Sequence, residues 1–151
     1  MRQTYIKVRG EWTYYYRAVD KAGQTIDFFL SSTRDKEAAK AFFEKAIGSS
    51  GVPEKVNMDK SGANYAALKS VNESLSEPQK ITIRQVKYLN NRVEQDHRAV
   101  KRITKPMMGF KNFVCAAATL AGIELAHMIK KGQSLLNETL SVCEQFYALA
   151  A

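Results

Sequence analysis

Two carboxylates stand where this sequence could do chemistry, Asp59 and Glu94, 35 positions apart. Asp59 closes the run Lys55-Val-Asn-Met58 and leads through Lys60-Ser61-Gly62 into a segment with helical spacing. That order predicts an acid at the carboxyl edge of a sheet, where α/β sites form. Glu94 falls in the first turn of a basic helix. Hard cations such as Mg²⁺ or Mn²⁺ take oxygen ligands. A pair of them about 4 Å apart stabilises both the attacking and the leaving oxygen of an in-line phosphoryl displacement. Such a centre needs acids from separate elements to converge on one spot. The ordinary alternative stays open from spacing alone: Asp59 caps the next helix and Glu94 is a solvated acid.

The surroundings of Glu94 are cationic. Glu94, Arg98, Lys101 and Lys105 follow at four, three and four positions and so share one side of a helix. Leu89, Val93, Val100 and Ile103 fall on another, apolar side. With Lys87 and Arg102, this column predicts a phosphate-binding face formed by Lys87, Arg98, Lys101, Arg102 and Lys105. Glu94–Arg98 is alternatively an ordinary surface pair worth about 0.3–0.5 kcal/mol. His97 has the chemistry of a general base, but local packing is the expected role. The chain carries a net charge of +8 and a pI near 9.5, which favours a polyanionic partner. Nine of its Lys and Arg residues, against two acids, lie between Lys80 and Lys111, so the excess is local.

The elements that must position these groups are legible from period and punctuation. Thr4–Val8, Trp12–Val19 and Thr25–Leu30 read as strands joined by short turns at Arg9-Gly10-Glu11 and Asp20-Lys-Ala-Gly23. They predict an antiparallel meander, with Arg2 roughly opposite Ala18 and Asp20 serving the second turn. The period then changes. A helix is expected from Asp35 to Ile47 with Gly48 as its C-cap, then a strand at Lys55–Asp59 and a helix at Gly62–Val71 with Tyr65, Leu68 and Val71 on one face. Ile81–Val86 is a further strand, and Asn90 a plausible N-cap for the basic helix, which ends before Pro106. A long helix from Phe110 to Lys131, packing through Phe113, Ala117, Leu120, Ile123, Met128 and Ile129, closes with Gly132. Residues after Ser134 predict a weak helix. The sum is one α/β domain of ribonuclease-H-like order.

Other classes recede. The apolar run Phe113–Ile123 is short of the roughly 20 residues of a membrane span, and Met1–Tyr5 lacks a secretory apolar stretch. Cys115 and Cys143 form no Cys-x-x-Cys, so neither disulfide framework nor zinc site is indicated; a reducing cytosol and helix-packing roles are expected.

The stretch Arg84-Gln-Val-Lys-Tyr-Leu-Asn-Asn-Arg-Val-Glu-Gln-Asp-His-Arg98, continuing through Lys105-Pro-Met-Met-Gly-Phe110 to Leu120-Ala-Gly-Ile-Glu124 and Lys131-Gly-Gln133, resembles the bacterial insertion-sequence-six-type transposases. Tyr5-Ile-Lys-Val-Arg-Gly-Glu-Trp12, Tyr16-Arg-Ala-Val-Asp20 and Met58-Asp59-Lys60 match in the same order, so the likeness covers Thr4 to Gln133. The resemblance implies a ribonuclease-H-like integrase catalytic core over residues 1–133, with C-terminal helices and a divergent helical tail at 134–151. It implies a Mg²⁺- or Mn²⁺-binding Asp–Asp–Glu triad that cuts and joins DNA, with Asp59 as its second acid and Glu94 as its third. In the family an Asp-Glu pair precedes Thr-Tyr-Ile-Lys-Val; here those positions are Arg2 and Gln3. An N-terminally truncated member is therefore expected, without the family's helix-turn-helix portion and with impaired catalysis. The alternative is a non-catalytic DNA-binding or inhibitory fragment. DNA is the implied partner, with a second copy or an intact transposase beside it, no membrane, and a cytoplasmic, nucleoid-associated location.

Overall fold

The computed structural model describes residues 1–86, 91–133 and 139–150. Strands β1 (Arg2–Val8), β2 (Glu11–Val19) and β3 (Thr25–Ser31) form the predicted antiparallel meander. The first hairpin closes on a two-residue turn in which Arg9 (φ 52°) and Gly10 (φ 82°) are both left-handed, the form whose twist matches that of paired strands. This tight turn sets the register: Arg2 faces Arg17 and Gln3 faces Tyr16, one residue short of the Ala18 expected for a looser loop. At the second turn the Asp20 carboxylate accepts from the backbone N–H of Ala22 (2.8 Å) and Gln24 (2.9 Å). Asp20 is thus a turn residue.

Helix α1 (Lys36–Ser50) follows, capped by Asp35, whose side chain accepts from the Ala38 N–H at 2.7 Å. It runs through Gly48 and stops at Gly51, where φ turns to 81° and the N–H bonds the Ile47 carbonyl. Gly48 is therefore an interior residue, costing about 1 kcal/mol against alanine, and Gly51 is the cap. Strand β4 (Lys55–Met58), α2 (Gly62–Ser74) and β5 (Thr82–Gln85) come next, with β4 and β5 parallel. Then follow α3 (Asn91–Thr104), a 3-10 turn at Lys105–Met107, α4 (Phe113–Lys130) and α5 (Val142–Ala150). The expected cap Asn90 lies outside the described residues. Asn112 caps α4, accepting from the Val114 N–H at 2.7 Å, so that helix begins at Phe113 rather than at Phe110.

Two cores flank the meander. On one face α1 and α2 enclose Tyr16, Phe42, Met58, Leu68 and Val71; full burial of an apolar side chain of this size stabilises by about 1.5–3 kcal/mol. On the other face, Ile6, Val8, Tyr15 and Leu30 meet Val100, Ala116 and Leu120. Several expected core positions turn outward. Tyr65, Ile103 and Phe113 are exposed, and Asn64 and Ala67 fill the inner face of α2. The inner line of α4 is Ala116, Leu120, Glu124 and Ile129. Cys115, about 100° around the helix from Ala116, is a free exposed thiol, as is Cys143, so neither packs the core.

The 18-residue α4, with a mean hydropathy of 1.4, is long and apolar enough to cross a membrane. The sequence expectation of a shorter apolar run stops at Glu124. That acid is buried against Arg17 and Tyr15, so α4 packs on the meander along one line of its surface. Gly109 fixes how α3 hands over to α4. It has φ 102°, and a Cβ there would lie 3.1 Å from the Lys7 carbonyl oxygen. That close approach lets the Phe110 N–H bond Lys7 O (2.8 Å) and the Arg9 N–H bond Phe110 O (2.7 Å).

Candidate functional site

Asp59 follows the last residue of β4, at the carboxyl end of the parallel pair; the Val86 N–H returns to the Met58 carbonyl at 3.3 Å. It is half-buried. Its Oδ1 accepts from the Asn64 side chain at 3.3 Å, while Ser61 occupies the N-cap position of α2. The capping alternative for Asp59 is therefore not what the fold uses. The Met1 amino group donates to the Asn57 carbonyl at 2.7 Å. Burial pushes that amine down to about 6, with the negative charge of Asp59 opposing.

One residue on, the Arg2 guanidinium is ion-paired with Glu94, each side chain a little over one-third exposed. Met1, just before β1, and Arg2, its first residue, thus reach Asn57 of β4 and Glu94 in the first turn of α3. Glu94 is paired with Arg2 rather than with Arg98.

Arg98, Lys101, Arg102 and Lys105 are exposed on α3 and the turn after it, as the spacing predicts, while Lys87 lies outside the described residues. Arg2, Arg98 and Lys101 line a hollow of about 370 Å³ with Gln3, Thr4, Tyr5, Glu94 and His97. His97 is 5% exposed. Its ring lies by the Arg2 backbone, yet neither nitrogen completes a hydrogen bond. Burial first, then the charges of Arg17, Arg2 and Lys101, push it down to about 3, so it is neutral. It packs.

Two groups of residues escaped the sequence reading. Arg34, in the loop before α1, donates to the Tyr5 hydroxyl at 3.0 Å. With the Gln3 amide oriented to receive it, Arg34 also bonds the Gln3 oxygen at 2.6 and 2.7 Å. The second group is a buried clamp. Arg17 and Glu124 are both fully buried. Arg17 Nη2 donates to Glu124 Oε2 at 2.7 Å, and Tyr15 Oη donates to Oε1 at 2.6 Å. Burial and the Glu124 charge push the Tyr15 hydroxyl far above its ordinary range. Asp96 joins this cluster, 3.6 Å from Arg17, 3.4 Å from His127 Nε2, and ion-paired with Lys131. Lys131 also donates to the Gly23 carbonyl at 2.8 Å. Asp96 sits two residues after Glu94, so the clamp ties α3 to β2 and α4 and fixes where Glu94 projects. The available signal was an acid inside an apolar helix, facing an aromatic strand that carries an arginine.

The donor set around these acids is poor for a divalent ion. One carboxylate, Glu94, already carries a guanidinium, and Asp59 is held by an amide donor. Among the described residues no three His, Cys, Asp or Glu side chains converge. As arranged, these residues do not fit a metal centre.

The antiparallel meander, the parallel β4–β5 pair and the helices around them define a ribonuclease-H-like integrase core. A chain of the simian T-cell lymphotropic virus intasome, solved in complex with PP2A regulatory subunit B56 gamma, shares this fold. It superposes with a TM-score of 0.59 at 13% identity, over 96% of this chain and 52% of that one. The DDE domain family matches residues 1–133. The chain belongs to that family, as an insertion-sequence-six-type transposase sequence. The Staphylococcus aureus transposase for insertion sequence-like element IS431mec is 35% identical over 152 residues, 99% of this chain and 66% of the relative. The transposase for insertion sequence element IS257 in transposon Tn4003, also from Staphylococcus aureus, matches to the same extent. The chain spans about two thirds of the length of these relatives, 66%.

Proposed function

We propose that this chain is a transposase core that engages DNA through α3 and is impaired in strand cleavage and transfer. The observation that carries the reading is the Arg2–Glu94 ion pair. Asp59 and Glu94 are the positions the family gives to catalysis and metal binding, in an Mg²⁺- or Mn²⁺-dependent transfer. Arg2 stands where the resemblance places the first acid, and its cation both removes a ligand and repels a metal. DNA binding needs no such centre. Arg98, Lys101, Arg102 and Lys105 offer a column of exposed cations, and Lys87 belongs to the same basic segment. Phosphate contacts of this kind release counterions and supply affinity without chemistry. A chain that holds DNA without cutting it suits a role beside a second copy or an intact transposase, as an occupant or inhibitor of its ends.

The test has two arms. The purified chain is expected to show no Mg²⁺- or Mn²⁺-dependent nicking of supercoiled plasmid and no Mn²⁺ binding by electron paramagnetic resonance, whereas Arg2→Asp gains Mn²⁺ binding. Robust nicking abolished by Asp59→Ala would overturn the impaired reading. In the second arm, duplex affinity falls steeply with salt, and Lys101→Ala or Arg102→Ala each reduces the salt slope by about 1. A salt-insensitive gel shift defeats the DNA reading.

A further inference from the structure

The sheet face that carries Tyr16 is covered unevenly. At one end α1 lays Phe42 on Tyr16, ring centroids 5.7 Å apart at 25°. At the other end, beside the Arg9–Gly10 turn, the register sets Lys7 against Trp12 and Tyr5 against Tyr14 on the same face. Trp12 remains 61% exposed and Tyr5 45%. Tyr5 stands edge-on to Trp12 (6.4 Å, 75°) and to Tyr14 (5.5 Å, 63°), and Lys7 Nζ lies 5.7 Å from the Trp12 ring centre. Cross-strand packing accounts for the edges of these rings. It leaves most of the Trp12 surface open.

This aromatic end opens onto a groove of about 490 Å³ whose lining includes Tyr5, Lys7, Trp12, Lys101, Lys105 and Met108. Tyr5 and Lys101 also line the hollow at Glu94. The two spaces thus adjoin along the β1 edge and are taken together as a channel from Glu94 to Trp12. One wall is cationic: Arg98, Lys101 and Lys105, spread over about 10 Å of helix axis. The aromatic wall lies across the β1 edge, on the sheet face opposite α3. A single nucleic-acid strand has this same division, phosphates along one side and ring faces along the other. In a duplex the ring faces are stacked inside and unavailable to Trp12. A second copy would bring its own excess of +8 to a groove already lined by lysines, so charge favours the nucleic acid.

We infer that this channel holds unpaired nucleotides, with phosphates on Arg98, Lys101 and Lys105 and bases stacked on Trp12 and Tyr5. The inference rests on the DNA-binding reading above and adds the form of DNA and the residues that sense it. Stacking on an exposed aromatic is tolerant of sequence and contributes strongly to each base's affinity.

Trp12 is the only tryptophan, so its emission reports directly on the groove. Titrating the purified chain with a short oligothymidylate is expected to quench that emission, while a duplex of equal length binds without comparable quenching. By fluorescence anisotropy of labelled DNA, Trp12→Ala is expected to lose on the order of tenfold in affinity for the single strand. Trp12→Phe retains most of it, and duplex affinity is unchanged in both. Salt-dependent duplex binding with no quenching by the single strand, or equal losses on both DNA forms in Trp12→Ala, would overturn the channel and leave the DNA reading standing. Binding to neither form sinks both. A shift of Trp12 emission with chain concentration, DNA being absent, would assign the groove to a second copy and overturn the inference.

Discussion

Two ion-pair clusters lie on either side of α3, built from the same chemical groups and put to opposite use. Toward β2 and α4, Arg17, Glu124 and Asp96 are buried or nearly so and bonded from several directions. Toward β1, Arg2 and Glu94 are joined by one half-exposed pair beside an open hollow. In the first, mutual bonds offset much of the desolvation, although Arg17 Nε and Nη1 complete no hydrogen bond, and removing one partner strands the other. In the second, water competes for both groups, so the pair contributes little to stability and can be exchanged for another ligand. Burial, more than charge, separates the clamp from the site.

That contrast is open to direct attack. The largest effect is expected from Glu124→Ala, which leaves the Arg17 guanidinium buried without its carboxylate. A loss of about 3–5 kcal/mol in urea unfolding is expected. The double change Arg17→Met with Glu124→Leu should cost much less than the single one, because no orphaned charge remains. Equal costs would mean that packing, not charge, holds α4.

An intermediate effect concerns His97, which is depressed to about 3 in the folded chain against about 6.5 when unfolded. The unfolded state therefore binds the proton more readily. The stability owed to neutral His97 is complete above about pH 6.5 and is lost as pH falls toward 3, roughly 2 kcal/mol by pH 5. Urea midpoints measured across that interval should fall in the natural chain and flatten in His97→Leu. A parallel slope in the variant would place the acid sensitivity elsewhere. The smallest effect is expected of Arg2→Ala, within about 1 kcal/mol. A larger loss would move the Arg2–Glu94 pair into the structural class.

Much of this arrangement could be read along the chain. Three strands, two turns and the change to helical period came from neighbours a few residues apart, and the observed elements follow them. Asp59 at a strand end and Glu94 in a first helical turn were equally local. Gly48 and Tyr65 misled because a helix tolerates one glycine, and a face drawn from three residues is easily rotated by one. Cys115 and Ile103 misled for the same reason: apolar character does not say which side of a helix meets the core.

What the sequence determined by itself was the order of elements, the concentration of cation in one helix, and the departure at Arg2 from the acid expected there. The tertiary structure alone decided the partners. Arg17 meets Glu124 across 107 positions, Arg2 rather than Arg98 takes Glu94, and Trp12 is left open while Tyr16 is covered. Turn chemistry and side-chain period act through covalent neighbours, whereas the pairing of charges and the exposure of rings depend on which elements finally lie against one another.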